Sequence, residues 1–269
     1  MRLRSAAPSV VIAAALLVAG LQYASPGAYN DPEARDLDLL TSAQPTTAQS
    51  AVDDVALGDV ATRARDVKAD AAATTSADCD GCYGISAALQ VVYATRARQA
   101  RLDNSAVAWT QACDGCTAAA LSAQVVVLPS WSQALPNNRA MAVTAACTGC
   151  RAASVAFQVV VVADRGRRLS RASLADMRSW FDEQIAALRA SVTGPLPEPS
   201  PTPDPSPSAS PTEPTDGTSP LLEPNDTLGR PYAGRRAQRV STEALAELEG
   251  LVTAGLDAEP ILADVDLGR

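Results

Sequence analysis

The six cysteines of this 269-residue chain form three Cys-x-Gly-Cys pairs, Cys79/Cys82, Cys113/Cys116 and Cys147/Cys150, with successive pairs 34 residues apart. Whole columns travel with them. Each pair is followed by a stretch of small residues ending in Gln-Val-Val, which aligns Gln90, Gln124 and Gln158, and Asp70, Asn104 and Asn138 fall at the same spacing upstream. A fixed period with matching positions on both flanks marks a repeat architecture. One copy cannot bury its own apolar face, so copies stack, and about three are needed for stability.

Within a copy the small residues recur at every second position. They are Asn104, Ala106, Ala108, Thr110 and Ala112 before the pair, then Cys116, Ala118, Ala120, Ser122, Gln124 and Val126; the next copy repeats this from Asn138 to Val160. Period two is the strand signature, because successive side chains point to opposite faces. The Val runs at 125–127 and 159–162 favour strand as well. Cys-x-Gly-Cys then lies between two strands, where Gly81, Gly115 and Gly149 can supply a positive φ for a turn. The predicted fold is mainly β: three tandem strand–turn–strand repeats over residues 69–171, as a stacked sheet or short solenoid. Stacking sets the Gln residues, and separately Asn104, Asn138 and Asp70, in rows whose amides satisfy one another. Ala-rich helical repeats are the alternative, since Leu121, Val125 and Leu128 also suit one helical face and Ala favours helix.

Residues 1–28 read as a secretory signal: Arg2 and Arg4, an apolar run from Val10 to Leu21, then Ala24, Ser25, Gly27 and Ala28. The run is shorter than the about 20 residues of a membrane span. Cleavage near Ala28 is therefore expected, with an uncleaved anchor through residues 8–24 as the alternative. Residues 29–68 read as a polar, partly helical lead-in. After the repeats, Ser173-Leu-Ala-Asp176 resembles a capped helix start. Leu174, Met177, Phe181, Ile185, Leu188 and Val192 follow on one apolar face. A helix over 172–193 is expected to cap the open end of the stack, where an uncovered sheet edge invites pairing. Residues 194–220 are Pro-rich and read as an extended linker. Residues 221–269 are expected to be mostly disordered, with one further helix at 241–256.

Aromatics make up 4% of the chain, and its 47% hydrophobic content is mostly Ala and Val. Burial stabilises in proportion to apolar area, at about 25 cal/mol per Å², so the core is thin and cross-links are expected to supplement it. Three chemistries compete for the cysteines. Structural disulfides come first, because exported proteins meet an oxidising compartment; bonds within each pair are favoured, and bonds from copy to copy stay open. Thiol–disulfide exchange is second, Cys-x-x-Cys being the redox spacing. A tetrahedral zinc site made from two of the pairs is third.

The chain has no His, which removes every mechanism that depends on imidazole. Lys68 is its single Lys, so Ser/Lys and Schiff-base chemistry have no evident partner. A net charge of −8 opposes the attraction to phosphates that dominates nucleic-acid binding. No catalytic residue and no cofactor is expected.

The stretch Asn-x-Ala-x-Ala-x-Thr-x-Ala-Cys-x-Gly-Cys-x-Ala-x-Ala-x-Ser-x-Gln-Val-Val, from Asn104 to Val126, is similar to repeats in uncharacterised exported actinobacterial proteins. The likeness covers residues 70–163, and the first copy departs from it at Asp70 and Asp78. It implies export and repetition and carries no activity with it. The expected function is a non-enzymatic, disulfide-stapled module of the cell envelope whose partner is an envelope component or protein. A thiol–disulfide redox protein is the alternative and zinc binding a minor one; membrane contact is expected only through an uncleaved N-terminal segment.

Overall fold

A computed structural model describes residues 37–163, 166–194 and 235–268, which belong to one compact unit, Glu33–Arg269. The expected signal or anchor segment and nearly all of the Pro-rich linker lie outside the described residues. Eight strands run in succession: β1 (Leu39–Ala43), β2 (Ala51–Thr62), β3 (Asp66–Ala77), β4 (Tyr83–Ala94), β5 (Gln99–Gln111), β6 (Thr117–Leu128), β7 (Gln133–Ala145) and β8 (Arg151–Val162). Helices α1 (Arg171–Thr193) and α2 (Arg235–Leu256) and a last strand, β9 (Glu259–Leu267), follow. The chain alternates between two sheets. β1-β3-β5-β7 form one, in that order and all parallel, and β2-β4-β6-β8 form the other, also parallel, with β9 antiparallel on β8. Each odd–even strand pair is one coil, and about four coils stack into a β-solenoid.

Period two prevails over helix because each strand presents one face to the space between the sheets. In β3 and β5, buried and more exposed residues alternate, since among the described residues nothing covers the outer face of the first sheet. In β4 and β6 nearly every residue is buried, the continuous apolar pattern of parallel strands covered on both faces. The inner space is graded. Val and Leu residues such as Val92, Leu102, Val126 and Val160 fill the side by the coil-to-coil loops, and Ala and Cys fill the other. The Gln and Asn rows lie between them. On the outer face of the second sheet, Leu121, Val125, Phe157, Val159 and their neighbours pack under Met177, Trp180, Phe181 and Ile185 of α1 and Leu248 and Val252 of α2. Phe157 meets Trp180 edge-on at 5.3 Å, and Trp180 Nε1 donates to the Ala244 carbonyl at 3.2 Å.

Four expectations need correction. The lead-in is not partly helical: β1 and β2 make a complete coil without cysteine, offset from the next coil by 32 residues in both sheets, Leu39 facing Ala71 and Ala51 facing Tyr83. Asp53 and Asp59 stay exposed on β2, and Asp53 accepts from Arg189 of α1 at 2.6 Å.

Asp70 does not join the Asn row. It pairs with Asp103, while Ala71 pairs with Asn104. Ala77 is opposite Thr110, but Tyr83 is opposite Thr117, so the first cysteine turn is one residue shorter than the second. The longer turns accommodate the extra residue where Ala112 and Ala146 adopt φ of 52° and 51°.

The α1 helix is capped by Ser170, whose hydroxyl accepts the Ser173 N–H at 3.0 Å, and not by Ser173. It covers the face of the second sheet, not an end of the stack, where the Val-rich outer rows of β4, β6 and β8 meet its apolar stripe.

The end of the stack is covered by β9, which replaces the disordered tail expected there. Its Ala263 and Val265 join the helix-side core, while Leu262 packs with the inner cluster. On the same side, Asp264 Oδ2 accepts from Asn138 Nδ2 at 3.1 Å and Asp266 Oδ2 accepts the Ala140 N–H at 2.8 Å. These carboxylates take the bonds that a fifth coil would have supplied to β7.

Candidate functional site

Where each odd strand turns into its even partner, three Cys-x-Gly-Cys turns lie one above another. Gly81, Gly115 and Gly149 have φ of 66°, 67° and 67°, and nothing lies within 4 Å of where their Cβ would be, so glycine is favoured there by backbone conformation and not by lack of space. The turns are tied to one another as the strands are. Gly81 N–H donates to the Asp114 carbonyl and Gly115 N–H to the Thr148 carbonyl, both at 2.8 Å. The N–H groups of Thr117 and Arg151 donate to the carbonyls of Cys82 and Cys116 at 2.7 and 2.9 Å. This pairing holds the cysteines of adjacent coils in line.

Two pairs are closed: Cys79–Cys82 and Cys113–Cys116 are disulfides with Cα–Cα distances of 5.3 and 6.1 Å. Cys147 and Cys150 are thiols. The first two pairs are buried, with Cys79, Cys82, Cys113 and Cys116 at 8%, 1%, 4% and 0% exposure, while Cys147 and Cys150 are half-buried. Pro45 closes the inner end of the row, its carbonyl 3.7 Å from Cys79 Sγ. At the outer end, Cys147 Sγ lies 3.6 Å and Cys150 Sγ 3.8 Å from Cys113 Sγ, and the Cys150 thiol donates to the Cys113 carbonyl at 3.1 Å. Arg151, next in sequence, donates to the Val192 carbonyl at 3.2 Å and to that of Gly194, anchoring the outer turn to the end of α1.

The environments of the two thiols differ. Burial pushes Cys147 up, but hydrogen bonds from Cys150, the Cys113 backbone, the Thr110 side chain and the Ala145 backbone outweigh it and hold the thiol below its ordinary value. Burial, and then the neighbouring Cys147, push Cys150 up to about 11. Thr110 is a residue the sequence reading left without a role. Its hydroxyl is fully buried, has no oxygen or nitrogen partner and lies beside both sulfurs; the matching Thr144 in the next copy was the available signal.

The Sγ atoms of Cys113, Cys116, Cys147 and Cys150 lie within 4.8 Å of one another. Zinc binds four thiolates at about 2.3 Å in a tetrahedron. With Cys113 and Cys116 bonded to each other the cluster offers only two, so the disulfide would have to open first.

The amide rows lie deeper. Gln158 Nε2 donates to Gln124 Oε1 and Gln124 Nε2 to Gln90 Oε1, both at 2.8 Å, and Gln90 Nε2 reaches the Leu37 carbonyl. Asn104 Nδ2 donates to Asn138 Oδ1 at 2.7 Å, while Asn104 Oδ1 accepts from the Ser122 hydroxyl at 2.6 Å. Each amide also bonds the backbone of the facing sheet, as Gln124 does to Ala69 at 3.0 Å and Asn104 to Phe157 at 2.9 Å. The rows therefore fasten coil to coil and sheet to sheet.

No family model, curated protein or solved structure matches the chain. Among the described residues no helix is long and apolar enough to cross a membrane.

Proposed function

We propose that this chain is an exported structural or interaction module of the cell envelope, without catalytic activity, whose cysteines staple the turns of its coils. The observation that carries the reading is the outer face of the first sheet, which no described element covers and which the amide rows hold rigid from beneath. Its side chains stand in register across coils. Asp70 is beside Asp103 and Asn137, Thr74 beside Val107 and Met141, and Ser76 beside Trp109 and Val143. Lys68 is beside Arg101. Groups repeating at the strand spacing of about 4.8 Å suit an extended partner, and a preformed face loses little freedom on binding. Export rests on residues 1–28.

Fractionation of cells producing the full chain, then co-sedimentation of the purified protein with isolated wall and membrane material, tests this reading. Wild type is expected in the envelope fraction, with retention lost on combining Arg101→Glu with Trp109→Ala. Recovery wholly from the cytoplasm, or failure to sediment with either material, would sink it. A thiol–disulfide oxidoreductase is the second reading, favoured by the thiols of the accessible outer pair. It requires turnover of a disulfide-bonded protein with a thiol reductant, lost in Cys147→Ser.

A further inference from the structure

We propose that the outer thiols exchange with the disulfide beneath them, so that the bond closing the Cys113 turn moves across to the last coil. Cys147 Sγ is 3.6 Å from Cys113 Sγ, which is sulfur-to-sulfur contact with nothing between. The chemistry is internal and balanced. The Cys147 thiolate forms a bond to Cys113 sulfur, the Cys113–Cys116 bond breaks, and Cys116 leaves with the electron pair and takes up the proton that Cys147 gave. The product is a Cys113–Cys147 disulfide joining the last two coils.

A second step completes the transfer. Cys150 attacks Cys147, and Cys113 leaves as a thiolate that takes the proton Cys150 lost. Cys147–Cys150 is then oxidised and Cys113 and Cys116 are both thiols. The number of disulfides is unchanged, so no outside oxidant or reductant takes part. Attack falls on Cys113 because both outer sulfurs contact it. Cys116 is the leaving group.

Several features support the first step. Attack needs a thiolate, and Cys147 is held below the ordinary thiol value whereas Cys150 is pushed up, which makes Cys147 the attacking group and Cys150 the resolving one. The Thr110 hydroxyl, beside both sulfurs, is placed to stabilise the negative charge on sulfur as it forms. The two forms also differ in what they restrain. A bond within a turn closes three residues, whereas Cys113–Cys147 closes 34, and a longer closed loop constrains the unfolded chain more. The exchange turns over no substrate, so it stands or falls separately from both readings above.

The cysteines lie on different tryptic peptides: Cys79 and Cys82 on residues 69–96, Cys113 and Cys116 on 102–139, Cys147 and Cys150 on 140–151. Full-length Cys150→Ser, oxidised so that two disulfides leave one thiol, is quenched in acid, alkylated and digested without reduction. The expected result is peptide 102–139 cross-linked to 140–151, with the alkyl label moved to Cys116. Label on Cys147, with the disulfide still inside 102–139, overturns the proposal. Circular dichroism checks that the variant folds. Should it not, wild type holding two disulfides is mapped over time by the same digestion. Appearance of a bond within or to peptide 140–151 supports the exchange, and confinement of both bonds to 69–96 and 102–139 ends it.

Discussion

Nε2 of Gln124 donates to Oε1 of Gln90 across 2.8 Å, and neither side chain is more than 2% exposed. Gln124 is the middle of its row, accepting from Gln158 while donating to Gln90. Gln158 ends the row with its Oε1 unpartnered. Position along the row therefore decides what each amide is worth, although all three occupy the same column of the repeat.

Gln124→Leu leaves the Gln90 oxygen without a donor and takes the acceptor from Gln158. An unsatisfied buried polar group costs about 1–3 kcal/mol, so the loss should be about 3 kcal/mol. Gln158→Leu strands one side-chain group, the Gln124 oxygen, and takes a donor from the Leu102 carbonyl, whereas Gln124→Leu strands two side-chain groups and takes a donor from the Ala69 and Asp103 carbonyls. The loss at Gln158 should be about half as large on the same scale. Urea unfolding compares them, and equal midpoints would contradict the row.

Asp266→Ala leaves the Ala140 N–H at the open edge of β7 with no acceptor, a loss of about 1.5–3 kcal/mol for a bond to a charged group. Amide exchange at Ala140 should quicken first, while the Gln124 amide in the coil interior keeps its protection. Uniform loss of protection would mean that β9 and the coils unfold as one.

Gly268 and Gly115 separate space from conformation. A Cβ at Gly268 would fall on Ser154 Oγ and 2.5 Å from the Ala142 amide nitrogen, so Gly268→Ala should release the end of β9 and raise exchange across 259–267. At Gly115 there is room but φ is 67°; Gly115→Ala should cost about 1 kcal/mol from left-handed strain, leaving β9 untouched. Thermal unfolding and hydrogen exchange distinguish the two.

Alkylation against pH should modify Cys147 before Cys150. The folded value of Cys150, about 11, lies above its ordinary 9.0, so its contribution to stability is fully present below about pH 9 and is lost as pH rises toward 11. Cys147 is held low, so its contribution is present above its ordinary value and is lost as pH falls through the folded one. Peptide mapping after brief iodoacetamide treatment reads the order, and faster labelling of Cys150 at neutral pH would refute it.

The coils were legible because a solenoid repeats its interior residue by residue. Asn104, Ala106 and Ala108, and the Gln column, carry the period in plain view. The first coil was not legible, since it has no cysteine, keeps a 32-residue offset and leaves Asp53 and Asp59 exposed like those of a polar linker. β9 was hidden for a related reason. Asp264 and Asp266 read as a solvated tail until the edge of β7 shows what they bond. The apolar stripe of α1 announced a helix needing a surface without saying which; Val125, Val127, Val159 and Val161 were that surface. The cysteine pairs were visible, but contact between neighbouring pairs follows from turn length, which the one-residue difference at the first turn alters.

The reversed direction of β9 breaks the parallel run of the second sheet. A newcomer docking after it, from another copy, would meet a strand of opposite polarity and carboxylates already committed to β7. The parallel ladder of the second sheet thereby ends at β8. Duplicating an interior coil would lengthen the parallel stack and its outer face while leaving the first coil and β9 as they are.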